Sequence, residues 1–363
     1  MACQSSTPGE VLAVNPAGNS ADPAAVAAPV SGNAVFGTGP VRMAIVASAE
    51  TGASGRLADV RNGAKLAVED LGGGELTVEI LQAVAGETGL NEKAVEAYVK
   101  GASVIGYAGS APADSAGSVL QLALVPNGAA RPQGSLAFLS SAADSLEWGL
   151  AQAGSAGAKS IVVLTGASQR ASAAAAVANL KAKAEVPVAL VEYAAGEPAS
   201  AIAARVTVAP GTVVGFVGNG PEIAAIAAAL DAKSGQQGAI QFIGNSGWAG
   251  TSLPAAPALQ GALVAMPDRA NEKIVSERYR KAFGLVPSLT ALQVYDAVAI
   301  VAGINRVKGV EGFKDGTIMS PSGFKGATGA FRFRRDGTVE RSFALEKVVG
   351  YKLVLASASP SGF

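Results

Sequence analysis

The first clear hydrophobic signal is Val41–Ala47, a short apolar run that predicts a buried strand. Behind it, Leu57, Val60, Ala64, Ala67, Val68 and Leu71 share one face at helical spacing, and Gly72-Gly73-Gly74 stops that helix. The alternation continues with a strand over 76–84, a helix over 91–100, a strand over 103–108, a helix starting near Pro112 and a strand over 122–125. A second block restarts the pattern with a strand over 160–164, a helix over 172–184, and strands over 187–193 and 213–217. A helix opening at Pro221 and reaching Ala232 comes next, as Pro is tolerated in a first turn. Strands over 240–243 and 261–266 and helices over 272–283 and 289–304 follow. Near the end, the runs 329–334 and 339–348 flank Arg335-Asp336-Gly337, and Asp-Gly between alternating runs signals a hairpin. Strands alternating with amphipathic helices imply right-handed βαβ units and parallel sheets. The pattern predicts two α/β lobes of similar layout plus a terminal β-hairpin.

No such pattern precedes Val41. Residues 4–40 are rich in Ala, Pro, Gly, Ser and Asn, and Glu10 and Asp22 are their only charges. They read as a flexible tether with a reach of about 35 Å. Ahead of it stands Met1-Ala2-Cys3-Gln4-Ser5-Ser6, where the single Cys follows a small residue. This resembles the start of a mature bacterial lipoprotein, in which the Cys3 thiol would carry lipid. No apolar run approaches the roughly 18 residues that span a bilayer.

Composition removes several functions. The 363 residues carry 28 Lys+Arg against 28 Asp+Glu, so there is no electrostatic footprint for nucleic acid. Without His there is no Ser-His-Asp triad and no imidazole metal ligand. With one Cys there is no internal disulfide and no thiolate cluster. No P-loop, no G-x-G-x-x-G after a strand and no G-x-S-x-G elbow occurs, so neither a cofactor nor an enzyme is expected. Ser322-Gly323-Phe324-Lys325 fits S-x-x-K, but that chemistry needs a helix, and Pro321, Gly323 and Gly326 argue for a loop.

Several stretches together resemble one family. Arg61-Asn62-Gly63-Ala64-Lys65-Leu66-Ala67 is similar to its first-helix pattern, and Val104-Ile105-Gly106 before Gly109-Ser110 to its third strand and binding turn. Asn127-Gly128-Ala129-Ala130-Arg131-Pro132 is similar to a second binding turn, and 261–269 to a returning strand. Tyr295-Asp296-Ala297-Val298 resembles the hinge-proximal helix, and 324–339 the terminal hairpin. The family is that of the type I periplasmic binding proteins, leucine/isoleucine/valine-binding branch, and the similarity covers residues 41–355. It implies two doubly wound parallel-sheet lobes joined by three hinge crossovers and closing on a small solute. The division it suggests is 1–40 as lipoprotein-like N-terminus and tether, 41–143 plus 262–290 as the first lobe, and 144–261 plus 291–363 as the second. A solute, the permease of an ABC transporter and a membrane reached only through the lipid are the implied partners. The protein would be a periplasmic, lipid-anchored monomer.

Carried over position by position, the resemblance places Ser110 where the family binds a ligand carboxylate. Placed before a helix near Pro112, Ser110 would sit where free N–H groups favour an anion. Ala129 offers its backbone at the second turn, and Ala130 stands where the family usually has a threonine hydroxyl. In the second lobe, Arg170 and Asn219 fall at or near tyrosine positions, and Ser246 replaces the acid that would pair an ammonium. A zwitterionic amino acid would then bury an unpaired charge. Arg170 points instead to an anionic or carbonyl-rich ligand. Trp248, Thr51 and Tyr295 are further candidate contacts. The favoured expectation is a solute-binding protein for a small polar or anionic, amino-acid-like or carboxylate solute. The alternative is an envelope lipoprotein with a degenerate pocket that regulates a cell-wall synthase.

Overall fold

The computed structural model describes residues 33–48, 54–71, 74–183, 185–235, 239–268, 272–360 and 362. Cys3 and Thr51 lie outside the described residues. Along the chain run β1 (Ala34–Phe36), β2 (Val41–Ser48), α1 (Ser54–Leu71), β3 (Leu76–Ala83), α2 (Glu87–Val99), β4 (Val104–Ala108), β5 (Leu120–Pro126) and β6 (Leu136–Leu139). Next come α3 (Ala142–Ser155), β7 (Ser160–Gly166), α4 (Arg170–Lys183), β8 (Val188–Tyr193), α5 (Ala199–Ala204), β9 (Thr212–Val217), α6 (Glu222–Ser234), β10 (Gln241–Gly244) and β11 (Leu263–Pro267). Helices α7 (Glu272–Phe283) and α8 (Leu289–Lys308) precede β12 (Phe324–Gly326), β13 (Gly329–Phe333), β14 (Val339–Arg341), β15 (Phe343–Val349) and β16 (Lys352–Ser357).

Two large sheets form two lobes. The first has the order β1-β3-β2-β4-β5-β6, parallel except for β1 against β3. β4 is buried along its whole length, which explains a continuous apolar run in place of alternation. On one face Ile45, Leu76 and Val104 pack against Val60 and Ala64 of α1 and Val294 and Val298 of α8. On the other face Val46, Leu81 and Ile105 meet Leu90, Ala94 and Ala97 of α2. The second sheet has the order β16-β15-β11-β10-β9-β7-β8. Leu146 and Leu150 of α3 cover one face of it, and Ile223, Ile226 and Leu230 of α6 the other. A third, antiparallel sheet, β12-β13-β14, lays Phe331 and Phe333 against Phe138 in the first lobe's core.

Three crossovers join the lobes: β6 to α3 through Ser140 and Ser141, β14 to β15 through Ser342, and the one that leaves the end of β11 for α7. The strand ends from which they leave lie side by side. Pro267 pairs with Phe343, and the Arg341 guanidinium on β14 donates to the Phe138 carbonyl on β6 at 2.8 Å. Because β6 and β11 both end here, the two sheets turn their strand carboxyl ends toward a common region.

Several sequence expectations need correction. The expected lobe limits misplace β11, α8 and the small sheet β12-β13-β14, whose Phe331 and Phe333 pack in the first lobe's core. β11 lies in the second sheet between β10 and β15, although 262–290 was expected in the first lobe. α8 packs into the first lobe's core, although 291–363 was expected in the second. The reason is register: β11 finds a parallel partner in β10, while the apolar face of α8 fits that of α1. Ordered chain also begins before residue 41, since Ala34–Phe36 pairs with Val78–Ile80. The run 339–348 is not one arm of a hairpin, because it leaves the small sheet after Arg341 and enters the large one at Phe343.

The helix expected near Pro112 is absent, and residues 109–119 cross between β4 and β5 as loop. Their polar groups find partners outside a helix. The Ala113 N–H donates to Glu87 at 2.9 Å, the Ser115 hydroxyl donates to the Gly117 carbonyl, and Gln121 donates to Ser115.

Candidate functional site

Open parallel α/β sheets bind ligands at the carboxyl ends of their strands, and the two lobes differ at that edge. In the first lobe the ends of β2, β4, β5 and β6 surround a recess of about 150 Å³. Its wall is apolar: Ala47, Ala108, Leu124, Pro126 and Leu139 from the sheet and Val60 from α1. Backbone at Gly109 and the half-buried side chains of Thr290 and Gln293, in the first two turns of α8, supply its polar edge. Thr290 stands there because Ser288 caps α8, its hydroxyl accepting from the Ala291 N–H at 3.2 Å.

The second lobe's strand ends are tied to one another. The Asn245 amide donates to the Phe216 and Gly218 carbonyls at 3.0 and 2.7 Å, and its oxygen accepts from the Gly247 N–H at 2.8 Å. Trp248 donates to the same Gly218 carbonyl at 3.0 Å. Gly218 holds φ near +122°, and a Cβ there would stand 2.5 Å from the Gln169 amide oxygen, so only glycine fits. At the end of β8 the buried Tyr193 donates to Glu222 at 3.2 Å; burial, reinforced by that carboxylate, raises its phenol pKa.

Against this geometry the candidate contacts separate. Ser110 sits half-buried on the loop after β4, outside the wall of the recess, and no helix follows it, so the anion-favouring N-terminus it was expected to open does not form. Ala129 and Ala130 line a different surface concavity, shared with Arg131, Arg335, Asp336 and Gly337. The residue beside them, Asn127, is used structurally: its amide pairs with both the N–H and the carbonyl of Val339. The expected carboxylate clamp of Ser110, Ala129 and Ala130 is therefore not assembled around one cavity.

Arg170 opens α4, and its guanidinium pairs with Glu192 at 2.5 Å while its side chain stays 66% exposed. Asn219 and Ser246 do lie together at the second lobe's edge: the Asn219 amide donates to the Gly247 carbonyl at 3.2 Å, and the Ser246 N–H donates to Ser145 at 2.9 Å. Trp248 is fully buried against Phe216 and is core. Tyr295 is also core, 7% exposed, donating to Asp70 at 3.1 Å where Arg278 meets the same carboxylate. The residues that residue-type matching did not single out are Thr290 and Gln293. Their signal was the Ser288 cap, which sets them in the opening two turns beside the strand ends.

Beneath the crossovers lies a buried ionic cluster. The carboxylate of Asp296 on α8 accepts from the N–H groups of Ala327 and Thr328 at 2.6 and 3.0 Å and from the Thr328 hydroxyl. Arg341 donates to the same hydroxyl at 2.9 Å and lies 4.5 Å over the Phe331 ring. Burial raises the Asp296 carboxyl pKa and brings Arg341 down to about 10. A Cβ at Gly326 would come 2.5 Å from the Asp296 carboxyl carbon, so glycine lets the turn close on that carboxylate. Nearby, Glu340 gathers Arg332 and Arg334 at 2.8 and 2.9 Å, and Lys183 of α4 lies 3.7 Å away. Burial works against the Glu340 charge, but the two arginines outweigh it and hold the carboxyl below its ordinary range.

No family model and no curated protein matches the chain. Solved structures do. A Rhodospirillum rubrum protein named for branched-chain amino acid ABC transport has a TM-score of 0.65 at 17% identity, covering 87% of this chain and 99% of its own. A substrate-binding protein of an ABC transporter from Desulfitobacterium hafniense, in complex with Leu, gives 0.54 at 17%, covering 87% and 99%. A solute-binding protein of an ABC transporter from Rhodopseudomonas palustris BisB5, in complex with 3,4-dihydroxy benzoic acid, gives 0.51 at 17%, covering 89% and 97%. Two sheets turned edge to edge, three adjacent crossovers and these near-complete overlaps agree on the architecture: the chain has the fold of the type I periplasmic binding proteins.

Proposed function

We propose that this chain is the extracytoplasmic solute-binding component of an ABC importer, and that it works by enclosure without catalysis. One observation carries this reading: both sheets direct their strand ends to a shared region beside three crossovers, and the first edge keeps a recess open there. The fold-mates named for ABC transport, two of them with small molecules bound, support it. A solute would enter the recess, and rotation about the crossovers would bring the Asn219 and Ser246 edge over it. The closed form would then present itself to the permease. The protein acts as a monomer, and Cys3 is its lipid attachment point, replaceable by Ser with loss of fatty-acid labelling.

The test combines thermal unfolding of the full chain across a panel of amino acids, amides and aromatic acids with small-angle scattering. A ligand present at about 100 times its Kd stabilises the folded state by about 2.7 kcal/mol and reduces the radius of gyration on closure. A panel without any shift, together with capture of a cell-wall synthase from envelope extracts, would replace this reading with the regulatory one.

A further inference from the structure

Resting on the solute-binding reading, we propose that the ligand enters with an apolar end seated in the first lobe's recess and an uncharged hydrogen-bonding head turned toward the second lobe. The recess volume, about 150 Å³, equals that of apolar protein cavities that take a benzene-sized guest. No charged side chain lines it, and burying an unpaired carboxylate or ammonium there would oppose binding strongly. The groups that could have held an anion on this side are separated: Ser110 stands outside the recess wall, and Ala129 and Ala130 face another concavity. Its two polar side chains, Thr290 and Gln293, are neutral.

The opposite edge is also matched to a neutral head. Asn219 and Ser246 are neutral there, the Asn219 amide donating one hydrogen to the Gly247 carbonyl and the Ser246 hydroxyl accepting from Ser145, while the Arg170 cation is held by Glu192 and the Glu222 carboxylate by Tyr193. A phenyl-sized or branched alkyl group carrying an amide or hydroxyl satisfies both edges. An amino acid presented charged-end-first to the first lobe does not.

Isothermal titration of the full chain with benzamide, isovaleramide, benzoate and L-leucine tests this. The two amides are expected to bind at least tenfold more tightly than benzoate and L-leucine. Ala108→Leu, which fills the recess, should weaken benzamide binding at least tenfold. Since Ala108 is buried in a strand, a second variant guards against misfolding: Thr290→Leu, at a half-exposed helical position, should weaken benzamide at least threefold with an unchanged unfolding midpoint. Benzoate or L-leucine binding most tightly, or amide binding untouched by both variants, overturns the orientation while solute binding stands. If all four probes leave the wild-type chain silent in titration, the proposal falls, while the solute-binding reading is decided separately by the wider panel.

Discussion

The carboxyl-end edges of the two sheets come from the same topology and behave in opposite ways. In the second lobe, Asn245 ties the ends of β9 and β10 together with two hydrogen bonds and caps its own turn with a third, and Trp248 adds one more to a carbonyl Asn245 already uses. In the first lobe, the corresponding edge is lined by alanines and leucines, and the β4-to-β5 crossover folds its polar groups away onto Glu87, Ser115 and Gly117. One edge has spent Asn245 and Trp248 on its own strand ends and forms a tied platform with Asn219 and Ser246 at its rim. The other has hidden its polar groups and left a recess. A cleft needs both, since a firm wall gives a closing motion something to close against.

The comparison breaks most readily at the platform. Trp248→Ala removes the largest fully buried side chain, packed on Phe216 and filling the space above Gly244. The expected loss is about 3–5 kcal/mol of stability by denaturant titration. Asn245→Ala removes less volume but strands the Phe216 carbonyl and the Gly247 N–H, and about 2–3 kcal/mol is expected. In the recess, Leu139→Ala trims a partly buried wall residue and should fall below both. Equal losses at Leu139 and Trp248 would contradict the contrast between a rigid and a loosely filled edge.

Much of the fold was legible because its signals are local. The run Val41–Ala47, the face of α1 and the Asp336-Gly337 turn each declare their structure within a few residues, and all three form as expected. What failed depended on partners far along the chain. α3 is announced by Ser141 and Asp144, which form a capping box, but Ala and Gly dilute the apolar stripe that would have marked it. The exposed β16 has no burial to impose a period, so it left no alternation to read. Pro112 suggested a helix by its own geometry, yet Glu87, 26 residues earlier, claims the backbone there. Sheet membership of β11 and the packing of α8 were equally out of reach, because identical apolar patterns suit either lobe. At the site, Trp248 and Tyr295 were visible as residues but not as core, since burial is a property of the assembled lobes.

A smaller effect is expected where the lobes meet, and it depends on pH. Glu340 has its carboxyl held below its ordinary value near 4.5 by Arg334 and Arg332. Its folded pKa is depressed, so its stabilisation is present above about pH 4.5 and lost as pH falls through the lower folded value. Asp296 has the opposite sign. Burial raises its pKa, so its contribution is fully present below its ordinary value of 3.8 and lost as pH rises through the folded value. Glu340→Gln should therefore flatten the acid limb of a stability–pH curve, while Asp296→Asn, which removes a group whose contribution falls as pH rises, should steepen it. An acid limb unchanged in Glu340→Gln would show that the arginine cluster does not couple to folding.

The smallest expected effect sharpens the comparison most, because it concerns one of the residues the sequence offered as ligand contacts in the second lobe. Arg170 is 66% exposed and paired with Glu192 at the platform's rim. An exposed ion pair contributes about 0–1 kcal/mol, and salt screens it. Arg170→Ala should thus move the unfolding midpoint little and leave ligand affinity within about twofold, since the guanidinium belongs to β8 and not to the cleft. Asn219→Ala, at the same edge but carrying an amide beside the cleft, should weaken binding more than Arg170→Ala while costing no more stability. If the order is reversed and Arg170→Ala abolishes binding, the ion pair must open on closure. The second edge would then supply a cation to the ligand, and the contrast between a self-satisfied platform and a receptive recess would no longer describe this cleft.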